Sequence, residues 1–293
     1  MSRRTARRVG AAAAALAVGA ALATWAAGPA HADISTIIGK ASVSDSTPSK
    51  VAIITCPTET VVLGGGAEVY EGDHAVHVTG WMPVPPQPGL KYPNSMVGYG
   101  AESEDGYNGR WQVGVMAHCG PEPAGLEYVS AGSASTSPTS RSQAAHCPTD
   151  KLVVGTGARI ATGDGQVYLT GVRIADDLGS VTADAHEDAD GFAGNWSLHA
   201  YAICALPLPD HDLYVAETDS DSITAKEIQV ACPVGTEPHG LGFALNGAAG
   251  HVHLRKVRVV DDWLGGRVEA IEAGPTLTDA NWSARVYTVC ASE

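Results

Sequence analysis

One pattern occurs three times in this chain, and it limits the possible folds more than any other feature. CPTETVVLGGGAE begins at Cys56, CPTDKLVVGTGAR at Cys147 and CPVGTEPHGLGFA at Cys232. Each has Cys-Pro followed by glycines eight and ten residues on: Gly64 and Gly66, Gly155 and Gly157, Gly240 and Gly242. Twenty residues past each cysteine comes a strand-like run: VHVTGWM from Val76, VYLTGVR from Val167, VHLRKVR from Val252. A tryptophan stands eight positions before a second cysteine every time: Trp111 and Cys119, Trp196 and Cys204, Trp282 and Cys290. A polar stretch ends six residues ahead of each Cys-Pro: Ser44–Lys50 (SDSTPSK), Ser135–Arg141 (STSPTSR) and Ser220–Lys226 (SDSITAK). A linker does not keep such register. These stretches are expected to be polar turns whose Ser and Asp side chains bond nearby backbone. The repeating units are 34–121, 126–206 and 212–293, each with about five strands expected.

The copies separate scaffold from variation. In NWSLHAYAICA (195–205) the side chains alternate. Leu198, Ala200, Ala202 and Cys204 share one face, and Ser197, His199, Tyr201 and Ile203 share the other. In NWSARVYTVCA (281–291) and RWQVGVMAHCG (110–120) the cysteine face stays mostly small and apolar, while the opposite face changes freely. This is the pattern of a core strand that closes a repeat. Function is then expected in what the copies do not share. Short apolar runs punctuated by Gly, Pro, Asp and Ser, without helical periodicity, give an all-β protein. Two architectures fit: one closed domain of three sheets with pseudo-threefold symmetry, like a β-prism, or three tandem small β-modules. The closed form is preferred because separate units of this size would have small cores.

The N-terminus reads as a targeting signal. MSRRTARR is basic, GAAAAALAVGAALATWAAG is apolar, and Ala30-His31-Ala32 is a small-x-small cleavage site. Residues 1–32 are expected to be a secretory signal peptide and 33–293 the exported domain, with no membrane span after signal removal. The Arg3-Arg4 pair leaves a twin-arginine route open. The chain carries a formal charge of −14. Such a charge argues against nucleic acid as a partner. Six cysteines in an exported chain suggest three disulfides, and no CxxC pair points to zinc or redox chemistry. Pairing within copies joins Cys56 to Cys119, Cys147 to Cys204 and Cys232 to Cys290. A ring pairing, Cys119–Cys147, Cys204–Cys232 and Cys56–Cys290, is the alternative.

The signature CP-x6-G-x-G … V-x-[LV] … N-W … C-A resembles a repeat of exported actinobacterial proteins, over nearly the whole expected mature chain. That group implies no activity. More loosely, three cysteine-containing β-repeats resemble vitelline membrane outer layer protein I, which implies a β-prism and no site residue.

Candidate sites are few. His251 and His253 form HVH, a spacing that puts both on one strand face and suits a metal. His77, Tyr168 and His253 all fall at Cys+21, so a strand-surface position favouring planar rings explains His253 as well. Asp176-Asp177 and Asp261-Asp262 share an offset in copies two and three, and SEDG (103–106) and EDADG (187–191) are acidic turns. Loop carboxylates suit Ca²⁺, but no twelve-residue calcium loop is present and Asp-Gly is an ordinary turn signal. No other cofactor is indicated. The recurrent glycines lack the following helix and Lys-Ser/Thr of a phosphate loop, and read as a bulge or close backbone packing. G-x-S-x-G is absent. The NWS sequons at 195 and 281 read as turn ends. The expected function is a secreted, non-enzymatic binding or structural protein that engages a glycan or surface protein through variable loops. The alternative is a secreted hydrolase using a carboxylate pair in one repeat.

Overall fold

The computed structural model describes residues 36–163, 165–260, 265–274 and 279–292. The expected signal peptide, Asp261 and Asp262 lie outside these residues.

Each repeat contributes six strands, one more than expected. The first gives β1 (Thr36–Ala41), β2 (Ser49–Thr55), β3 (Val61–Tyr70), β4 (Val76–Pro83), β5 (Ser95–Glu102) and β6 (Gln112–Gly120). The second gives β7 (Glu127–Gly132), β8 (Ser140–His146), β9 (Leu152–Ala161), β10 (Val167–Ile174), β11 (Ser180–Glu187) and β12 (Ser197–Ala205). The third gives β13 (Asp212–Glu217), β14 (Ala225–Ala231), β15 (Glu237–Asn246), β16 (Val252–Val259), β17 (Gly265–Glu272) and β18 (Ser283–Ala291). The additional strand is the outer strand that opens each copy, such as EYVSAG in β7, where Tyr128, Val129 and Ala131 are partly buried and no residue is fully buried.

The three sheets are six-stranded and antiparallel. Sheet I runs β1-β6-β3-β16-β17-β14, sheet II β2-β5-β4-β9-β12-β7, and sheet III β13-β18-β15-β10-β11-β8. Every sheet therefore takes three strands from one repeat and three from another. The tandem-module arrangement does not occur: no copy completes a sheet alone, and the three close on one another as a prism. The joins are short. Gly80 and Trp81 pair with Arg159 and Ala158, Gly171 and Val172 with Ala244 and Phe243, and Lys256 and Val257 with Glu68 and Ala67.

Inner faces meet in one core. Leu198, Ala200, Ala202 and Cys204 are buried as the alternation requires, while His199 and Tyr201 are half-buried on the outer face. The disulfides join Cys56–Cys119, Cys147–Cys204 and Cys232–Cys290, each with 5.7 Å between Cα atoms. The ring pairing is excluded.

The Cys+8 glycines make closure possible. A Cβ on Gly64 would lie 2.2 Å from the His239 carbonyl oxygen, and one on Gly155 2.2 Å from that of Leu63. Gly240 would meet the Val154 carbonyl at 3.1 Å. β3, β9 and β15 thus touch backbone to backbone around the pseudo-threefold axis, a separation that no larger residue permits. Ladder irregularities fall beside these glycines, at Val62/Gly64, opposite Val153/Gly155, and at Pro238/Leu241. Both bulge and close packing are present.

The polar stretches act as latches. Asp45, Thr136 and Asp221 bridge to Trp111, Trp196 and Trp282. The closing cation of each stretch, Lys50, Arg141 or Lys226, lies over that tryptophan ring at 4.9, 5.0 or 5.1 Å. Its partner is the Asp45 carboxylate, the Thr136 oxygens or the Asp221 carboxylate. The Trp rings are fully buried. They are packing units rather than platforms for a ligand.

Candidate functional site

Of the residues suggested as metal ligands, those described (His251, His253, Asp176 and Asp177) do not form a cluster. His253 is fully buried near the start of β16, but His251 lies in the turn ahead of the strand. The His251 amide donates to the Ala248 carbonyl, and its own carbonyl accepts from Ala273. The expected pair on one strand face is therefore not formed, because the strand starts one residue too late. Asp176 and Asp177 are exposed on the β10–β11 turn, where the Asp177 carboxylate accepts from the Gly179 amide at 2.9 Å.

His253 meets different partners. The Cys+21 residues converge on the axis, with ring centroids 4.8 Å apart for His77–Tyr168, 5.3 Å for His77–His253 and 5.5 Å for Tyr168–His253. This corrects the expected surface position: the three rings are an interior plug. The ring nitrogens of His77 and His253 have no hydrogen-bond partner. Burial, with a smaller contribution from the Arg255 guanidinium, holds His77 down to about 3. Burial also holds His253 well below its ordinary value, assisted by His77. Both rings are neutral at pH 7. Arg255 closes this end by donating to the Asp73 and Glu71 carbonyls.

Two acidic turns from different repeats meet beside Tyr168. Ligand atoms of Glu104, Asp188 and Asp190 lie within 4.8 Å of one another, the one such group of three among the described residues. Asp188 is pushed up to about 7, first by burial and then by the Asp190 and Glu104 charges. Its carboxylate accepts from the Gly191 amide at 3.1 Å. The Tyr168 hydroxyl is raised above its ordinary range, by burial first and then by these acids.

A recurring buried glutamate has no counterpart in the sequence expectations. Glu102, Glu187 and Glu272 end β5, β11 and β17 and are buried. The Trp111 indole N–H donates to Glu102 at 2.8 Å, and that of Trp196 to Glu187 at 3.0 Å. A Glu nine residues before Trp in two copies was the legible signal.

A concavity lies on sheet II where repeats one and two join. It is a groove of 610 Å³ whose lining includes Val51, Thr79, Tyr99, Glu104, Arg159 and Thr162. The Arg159 guanidinium lies over the Tyr99 ring at 4.3 Å. Gly80 separates the two in the ladder, so no side chain intervenes. His199 pairs with Arg159 on β12, and Tyr201 follows it on the same outer face. Burial lowers the His199 imidazole and Arg159 adds to the effect, so it is neutral at pH 7. Burial raises the Tyr201 hydroxyl. The groove thus offers the Tyr99 ring, hydroxyls and one guanidinium, with the His199 imidazole and the Tyr201 ring beside it on the same outer face. That set suits recognition of a polar ligand with flat apolar faces. Glu102 also borders the groove, but its carboxylate is held by the Trp111 indole and the Tyr107 amide.

No protein family matches the chain. No curated protein matches it either.

Proposed function

We propose that this chain is an exported, non-catalytic binding protein that takes a saccharide in the sheet II groove. The three disulfides mark an oxidising environment, and no helix among the described residues is long and apolar enough to cross a membrane. The observation that carries the reading is the Tyr99–Arg159 stack with Tyr201 and His199 beside it, on the faces where the copies differ. Sugars present apolar C–H faces and polar edges, which tyrosine rings and hydrogen-bonding side chains match together. A hydrolase needs two available carboxyls on either side of its scissile bond. In this groove Glu102 is already engaged, which leaves Glu104 at the loop end.

The test is titration calorimetry of the disulfide-intact protein against neutral and acidic oligosaccharides, with Tyr99→Ala as the variant. Binding that drops at least tenfold in the variant supports the reading. Absence of binding to any saccharide, or turnover in a glycosidase panel, overturns it.

A further inference from the structure

The pseudo-threefold symmetry provides an internal control for the groove, and the three faces are not chemically equal. Each sheet has two rows of six directly paired positions at its inter-repeat join, one facing the core and one facing outward. On sheet III the outward row reads Ser142, Asp184, Gly171, Ala244, Arg285 and Glu217. On sheet I it reads Glu227, Glu269, Lys256, Glu68, Gly114 and Ala41. On sheet II it reads Val51, Tyr99, Gly80, Arg159, His199 and Gly132. Directly paired residues point to the same face of a sheet.

The first two rows are acidic, and their carboxylates are paired with cations in the row or beside it. Asp184 pairs with Arg173 at 2.8 Å, Glu217 with Arg285, and Glu269 with Lys256 at 2.6 Å. Tyr99 occupies the position held by Asp184 and Glu269. A ring has replaced the acid, so the sheet II row contains no carboxylate at all. Arg159 forms no ion pair among the described residues and is half-buried against Tyr99. In a chain of formal charge −14, a guanidinium in a groove with no carboxylate partner among the described residues suits an external anion. The hollow on sheet III, 560 Å³ and lined by Arg173, Asp176, Glu217 and Arg285, has its arginines already satisfied.

We infer that the sheet II groove recognises a carboxylated saccharide, its carboxylate on the Arg159 guanidinium and its sugar face on Tyr99. This rests on the saccharide-binding reading above and specifies its ligand. A carboxylate fits the planar fork of arginine through two parallel hydrogen bonds, and esterification removes both charge and fork. Glu104 borders the groove beyond the end of β5, away from the Tyr99–Arg159 rung, so its charge does not occupy the anion position.

The experiment compares short galacturonate, glucuronate and sialyl oligosaccharides with their methyl esters, by calorimetry on the oxidised protein. The acid of at least one pair is expected to bind at least tenfold more tightly than its ester. Arg159→Gln is expected to abolish that preference, and Arg159→Lys to restore part of it. Arg285→Gln, on the sheet III row, is expected to leave the preference intact. Equal binding of acid and ester, or a preference that survives Arg159→Gln, overturns the inference while saccharide binding itself stands. No binding of acid, ester or neutral sugar overturns both.

Discussion

Acidification should unfold this protein steeply, and the cause is a set of buried imidazoles. His77, His118, His239 and His253 are at most 1% exposed. Burial lowers His77 to about 3, His118 to about 4 and His239 to about 3, and holds His253 well below normal. The unfolded value is about 6.5. The unfolded chain therefore binds protons below that pH that the folded chain refuses. Stability is full above pH 6.5 and is lost as pH falls toward 4. Each imidazole contributes about 1.4 kcal/mol per pH unit within that window. Asp188 acts oppositely, because its raised value makes the folded state bind a proton below about 7. Its cluster partners are exposed, so it offsets one proton at most. The net slope is roughly 4 kcal/mol per pH unit around pH 5, large against a typical stability of about 5–15 kcal/mol. Urea titrations at pH 8, 7, 6 and 5 would measure it through tryptophan fluorescence, since Trp81, Trp111, Trp196 and Trp282 are fully buried. His253→Phe should flatten the slope by about one proton, roughly 1.4 kcal/mol per pH unit. Tyr168 shows that a six-membered ring fits the equivalent position. Stability that stays constant between pH 7 and 5 would refute the reasoning.

Other outcomes follow from the same structure. Gly155→Ala puts a Cβ 2.2 Å from the Leu63 carbonyl and should cost about 3 kcal/mol or more, whereas Gly39→Ala, 3.7 Å from its nearest neighbour, should cost far less; thermal unfolding compares them. Replacing Cys147 and Cys204 together by serine opens a loop with a sequence separation of 57 and should lower stability by about 4 kcal/mol in denaturant titrations. Asp188→Asn removes a charge that burial and two neighbours oppose, so it should raise the melting temperature at pH 8 and give no gain at pH 5. Glu102→Leu strands the Trp111 indole N–H and should cost about 1–3 kcal/mol, read by chemical denaturation.

Much of the scaffold was legible because repetition exposes it. The alternation after Trp196 named the buried face of β12, and Gly64 and Gly155 announced close backbone contact by recurring at one offset. The intrarepeat disulfides followed the same logic. Comparison by offset was less informative for side chains that act across repeats. His77, Tyr168 and His253 share an offset, but only closure about the axis shows that one position in three copies becomes three touching rings. His251 failed as the partner of His253 because a strand boundary separates them, and single-residue boundaries are not encoded in local composition.

The sequence by itself determined the class, the copy number and the inward face of each closing strand. These depend on local spacing, and local spacing repeats. Only the tertiary structure decided that each sheet is shared between two copies. Arg159 belongs to the second repeat and Tyr99 to the first, and their stack exists only at that join. Its consequence, one row without a carboxylate beside two whose carboxylates are paired, arises from pairing between residues far apart in the chain, which no window along the sequence can contain.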